Sequence, residues 1–123
     1  MSSAKGQNFG RRLGFAGRGV LAAFRREASL KVHAAAVVFL IVFCVWDQTP
    51  APWIAVFTLA AALVISLELL NSAVEAMIDR LHPEHHPEIG FAKDALAGAV
   101  LIASLASLIV FAAYSWIRFA GPI

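Results

Sequence analysis

The chain has 123 residues, 60% of them hydrophobic, and a mean hydropathy of +0.76, which excludes an ordinary soluble domain. Its net charge of +2 is modest, and no nucleic-acid partner is expected. The charge is lopsided, because seven of the ten basic residues (Lys5, Arg11, Arg12, Arg18, Arg25, Arg26 and Lys31) precede residue 32. Cys44 is the only cysteine. It excludes an intrachain disulfide and a multi-cysteine metal site, and says nothing about redox compartment.

Residues 1–8 are polar and expected to fray. Over 8–27 the apolar residues Phe9, Leu13, Val20 and Phe24 recur at helical spacing, with Ala16 between them and the arginines on other faces. This predicts an amphipathic helix lying on an anionic membrane surface. Gly10, Gly14, Gly17 and Gly19 weaken the helix, and a solvated basic arm is the alternative. The basic region is long and patterned, so it is read as part of the mature protein and not as a cleavable signal peptide. Glu27 stands between this arm and the first apolar run.

Three runs carry no charge: Val32–Trp46, Gln48–Leu67 and Ala95–Ile117. A bilayer core of about 30 Å takes roughly 20 residues per crossing. The first run is short, and Lys31 can snorkel to extend it. Three transmembrane helices are predicted, over 29–46, over 52–80 with a cytoplasmic extension, and over 91–118. Between the first two lies a turn, Asp47-Gln-Thr-Pro-Ala-Pro-Trp53, with no basic residue. The positive-inside rule puts the arm and residues 80–90 in the cytoplasm, and the turn and C-terminus outside. Trp46, Trp53, Tyr114 and Trp116 then fall at the outer interface, where amphipathic rings prefer to sit. In His82-Pro-Glu-His-His-Pro-Glu-Ile-Gly90, Pro83 and Pro87 are expected to break the helix and Gly90 to allow a sharp turn. Its histidines lack the further ligands of a zinc site, and a solvated, nucleotide-facing loop is expected. Ala95, Ala99, Ala103 and Ser107 form a ridge of small residues suited to close helix packing in lipid.

The second span does not end where its apolar run ends. In Glu68-Leu-Leu-Asn-Ser-Ala-Val-Glu-Ala-Met-Ile-Asp-Arg80, the residues Glu68, Asn71/Ser72, Glu75 and Asp79 form one polar stripe on a helix. Carboxylates at the end of a membrane helix are costly and by default mark a functional site. At about 1.5 Å per residue, Glu68 lies roughly 22 Å in from Trp53 and Glu75 about 10 Å further. The stripe therefore straddles the lipid–water boundary. A carboxylate there can act as general base on a lipid hydroxyl. Glu75 and Glu27 suit Mg²⁺, which takes one or two carboxylates plus substrate phosphates. Lys93-Asp94 could set a cation against phosphate. Phosphoryl transfer needs mostly positioning and charge neutralisation, so this set suffices. Intramembrane carboxylates equally mark proton relays and cation transporters, and no G-x-x-x-x-G-K-[ST] or protein-kinase motif set occurs. The residues alone leave lipid enzymology and transport level.

The block Glu68–Arg80, followed by His86 and Ala92-Lys-Asp-Ala-Leu-Ala-Gly-Ala-Val-Leu101, resembles the prokaryotic diacylglycerol kinase family of small three-helix membrane enzymes. Phe15-Ala-Gly-Arg-Gly-Val-Leu-Ala-Ala-Phe-Arg-Arg-Glu27 is similar to that family's surface helix, and the likeness covers essentially the whole chain. The resemblance implies an all-α membrane protein of the bacterial inner membrane, homotrimeric, with sites shared between protomers. It implies transfer of the γ-phosphate of Mg²⁺-ATP to diacylglycerol, giving phosphatidic acid. Glu68 would be the general base and Asn71 would orient the site. Glu27 and Glu75 would hold the metal with ATP. Phe15, Glu84, His85, His86, Lys93 and Asp94 would lie along the nucleotide. Ala97 and Arg11 or Arg12 would meet the lipid. Three helices are too few to enclose both substrates, which suits a site completed by a neighbouring subunit. His33, six residues after Glu27, resembles instead the undecaprenol kinase branch, so undecaprenol is the alternative acceptor.

Overall fold

A computed structural model describes residues 8–121. Four helices follow in order, α1 over Phe9–Arg26, α2 over Ala28–Asp47, α3 over Ala51–Leu81 and α4 over Pro87–Ser115, before a π-helical turn over Trp116–Ala120. The stretch expected to fray lies, apart from Asn8, outside the described residues. Asn8 does not fray. Its side-chain oxygen accepts from the Arg11 N–H at 2.9 Å and caps α1, as short polar side chains at N-caps do. The four glycines do not break α1, and none of its residues is buried. Arg25 and Arg26 in its last turn face the negative end of the helix dipole favourably.

Each junction has a local cause. Glu27 is extended (φ −110°, ψ 118°) and its N–H donates to the Ala23 carbonyl at 2.9 Å, so one residue separates α1 from α2. At the far end of α2, Gln48 adopts the left-handed conformation (φ 55°, ψ 50°) and the Thr49 N–H returns to the Cys44 carbonyl at 3.1 Å. Pro50 and Pro52 then open α3, where a missing N–H costs nothing. Pro83 falls in the loop after α3, as expected. Pro87 does the opposite of breaking a helix. It occupies the first turn of α4, with the His86 Nδ1 accepting from the Glu88 N–H at 3.1 Å as the cap. The helix that carries the third predicted span thus starts at residue 87, and Gly90 sits inside its first turn and makes no sharp bend.

Among the described residues, three helices are long and apolar enough to cross a bilayer: α2, α3 and α4 with its π-helical turn. At 31 residues α3 is about 46 Å long, against a core of about 30 Å, so its last turns extend past the hydrocarbon. It packs most extensively on α4 and less on α2, with α1 folded against the arm end of α2 and α3. The buried apolar core is small: Leu30, Phe57, Val64, Ala103 and Tyr114. Of the predicted small-residue ridge only Ala103 is buried, and Ala95 is exposed. Between α2, α3 and α4 lies an open apolar cleft of about 430 Å³ lined by His33, Ala36, Leu40, Val64, Ser104 and Phe111 among others. Large side chains such as Val38, Phe39, Val42, Leu59, Ile102 and Ile109 face outward, as expected of helices whose solvent is lipid.

At the turn end, Phe43, Trp53, Phe57, Phe111 and Tyr114 form an aromatic cluster, with Trp53 and Tyr114 centroids 5.0 Å apart. Beneath it lies a polar knot that the sequence reading treats as part of a turn. Asp47 is the last residue of α2 and is buried. It accepts from the Thr49 hydroxyl at 2.8 Å, from the Tyr114 hydroxyl and from the Arg118 Nε at 3.0 Å. A buried carboxylate is tolerated only when partnered in this way.

Candidate functional site

The arm end of the bundle gathers most of the polar stripe. Glu68 is buried although it lies on a long apolar helix, with its side chain 10% exposed. Two residues of α2 reach its carboxylate. The Ser29 hydroxyl donates to Oε2 at 3.0 Å, and the His33 Nε2 stands 3.4 Å from Oε1. One turn further along α3, the Ser72 hydroxyl donates to Glu27 Oε1 at 2.9 Å. That contact draws the α1–α2 junction onto the stripe. Glu27 therefore lies beside the α3 face that carries Ser72 and, three residues on, Glu75. The amide oxygen of Asn71 is buried with no donor among the described residues. Such an orphan calls for a functional explanation, a ligand being one.

Across from the stripe, α4 contributes Lys93. Its ammonium donates to Asp79 Oδ1 at 2.6 Å. Lys93 precedes the uncharged run Ala95–Ile117, and the charges of both Asp79 and Glu75 act on its ammonium. The site edge thus pairs a cation with two carboxylates, an arrangement that can exchange carboxylate for phosphate.

The predicted residues divide into two groups. Glu27, Glu68, Asn71 and Glu75, with Lys93 at the edge, share this end of the bundle. Phe15, Arg11 and Arg12 stand on the exposed arm, where the Arg18 guanidinium lies 4.7 Å over the Phe15 ring. Glu84 and His85 are exposed in the loop, His86 caps α4, and Asp94 and Ala97 are exposed on α4. Among the described residues, no side-chain hydrogen bond or ion pair joins these to Glu68. Sequence reasoning missed Ser29 and read His33 as a mark of the undecaprenol kinase branch, not as a partner of Glu68. Their spacing of four on one helix was the available signal.

Among the described residues, no three acidic, histidine or cysteine side chains form a ready-made metal cage. The donor set nevertheless fits magnesium, which keeps waters and binds through one or two carboxylates plus phosphates. Glu27, bonded to Ser72, and Glu75, three residues further along α3, are the two carboxylates that would hold it.

Residues 14–114 match the family model described as prokaryotic diacylglycerol kinase. The chain is 34% identical over 106 residues to the diacylglycerol kinase of Escherichia coli strain K12, covering 86% of this chain and 87% of that one. It is 38% identical over 97 residues to the undecaprenol kinase of Bacillus subtilis strain 168, covering 77% of each. To the diacylglycerol kinase of Synechocystis it is 36% identical over 97 residues, 78% of this chain and 55% of the relative.

Proposed function

Because the chain belongs to the prokaryotic diacylglycerol kinase family, we propose that it moves the γ-phosphate of ATP to the hydroxyl of diacylglycerol, giving phosphatidic acid and ADP. The observation that carries this reading is the buried Glu68 carboxylate at the end of the apolar run of α3, one turn from the unpartnered amide oxygen of Asn71. Glu68 takes the proton of the lipid hydroxyl. The lipid oxygen forms its bond to the γ-phosphorus as the bond to the β–γ bridging oxygen breaks, and ADP leaves with that electron pair. Asn71 orients the reacting groups. Lys93 passes from Asp79 to the nucleotide phosphates, and Asp94, Phe15, Glu84, His85 and His86 flank the nucleotide. Glu27 and Glu75 would hold magnesium, which would neutralise phosphate charge. Ala97 and Arg11 or Arg12 border the lipid.

The site opens at the arm end, so the arm is cytoplasmic, where ATP is, and the C-terminus is outside. The proposed nucleotide residues Phe15, Glu84, His85 and Asp94 lie exposed on one protomer, which supports a site completed by a neighbouring subunit in a homotrimer. Undecaprenol is the second acceptor. The 38% identity to an undecaprenol kinase and the placing of His33 against Glu68 favour it. The deciding experiment gives purified protein labelled ATP, magnesium and each lipid. Label in phosphatidic acid supports the first acceptor, and label only in undecaprenyl phosphate supports the second. Folded protein that labels neither lipid overturns both.

A further inference from the structure

We propose that Ser29 and His33 are positioning residues that hold the two oxygens of Glu68 for its work on the acceptor hydroxyl, a proposal that rests on the reading of Glu68 as the base. The two residues are four apart on α2 and share a face, and that face meets α3 at Glu68. Each oxygen has its own partner: Oε2 receives the Ser29 hydroxyl at 3.0 Å, and Oε1 faces His33 Nε2 at 3.4 Å. The second distance is slightly beyond the usual N–H···O range. Contacts of this kind tighten when substrate is bound.

A glutamate side chain turns about three bonds, and near a lipid boundary little else would fix its carboxylate. An ionised carboxylate has about four lone-pair sites. Two partners leave the remaining sites free to accept the proton of the lipid hydroxyl. His33 also lines the apolar cleft, with Ala36, Val64 and Ile65, so the ring stands where the polar stripe meets the apolar space. Only an N–H at Nε2 is needed, and either imidazole charge state with that proton serves.

The test measures kcat and KM in detergent micelles, with MgATP and whichever lipid the unaltered protein accepts, for Ser29→Ala, Ser29→Thr, His33→Leu, His33→Gln and Glu68→Gln. Leucine fills the place of the ring beside the apolar cleft, so folding is kept while the donor is lost. Glutamine and threonine keep a donor. Positioning predicts that Ser29→Ala and His33→Leu each lose about 10- to 100-fold in kcat with little change in KM for MgATP. Ser29→Thr and His33→Gln should recover most of that loss. If Glu68→Gln is inactive while both donor-less variants keep full kcat, the base stands and the positioning proposal falls. If the loss appears in KM for MgATP, or the donor-keeping variants lose as much as the donor-less ones, the role is structural and the proposal also falls. An active Glu68→Gln overturns the reading of the base itself, and the proposal with it.

Discussion

Glu68 and Glu75 are chemically identical and lie two helical turns apart on α3, yet they occupy different surroundings. Glu68 is buried beside α2 and Glu75 is half-buried near Lys93. Glu68→Gln keeps the shape and removes the basic oxygen. It should abolish phosphate transfer to lipid while leaving nucleotide binding intact, as read by turnover beside an equilibrium ATP-binding assay. Glu75→Gln should instead shift the magnesium titration of activity to higher concentration and weaken nucleotide binding, because magnesium would lose one of its two proposed protein ligands. An unchanged titration curve removes Glu75 from the metal site. Lys93 sits in an exposed ion pair with Asp79, and such pairs contribute about 0–1 kcal/mol. Lys93→Met should therefore barely change the melting temperature while raising KM for MgATP, a split that a purely structural lysine would not produce.

At the scale of the element, the start of α4 reverses what a proline suggests. Pro87 has a helical φ by construction, and at the first helical position its missing N–H is no loss. His86 supplies the cap through its ring nitrogen. Gly90 then lies within a helix, where its freedom is a liability and not a need. A Cβ added there would meet nothing within 4 Å. Gly90→Ala should raise stability by about 0.5–1 kcal/mol, the propensity difference between the two residues in a helix. Thermal unfolding in detergent checks this, and a lowered melting temperature would mean that Gly90 is packed against something other than its own chain.

For the whole molecule, the two ends of the bundle are held differently. The arm end joins α1, α2, α3 and α4 through pairs such as Ser72–Glu27 and Lys93–Asp79. The turn end is locked by Asp47 under the aromatic cluster, tying the end of α2 to Tyr114 and Arg118. Arg118 is half exposed and can turn to water, but Tyr114 and Thr49 are buried and would lose their acceptor. Leaving buried groups unsatisfied costs about 1–3 kcal/mol. Asp47→Ala should lower the melting temperature accordingly, with kcat per folded molecule little changed because the proposed site lies at the opposite end. A proportionate loss of kcat would show instead that the two ends are coupled.

Hydropathy determined the three long apolar helices, because lipid-facing segments must be apolar all round and long enough to satisfy their own backbone. Helical spacing alone brought Glu68, Asn71, Glu75 and Asp79 onto one stripe. Those are local properties of the chain, written in consecutive residues. Contacts made across tens of residues depend on how α2 is rotated against α3 and on where α4 begins, and no period in the sequence encodes either. Packing therefore decided that Ser29 and His33 face Glu68, that Ser72 draws in Glu27, and that Asp47 is buried with partners from the far end of the chain.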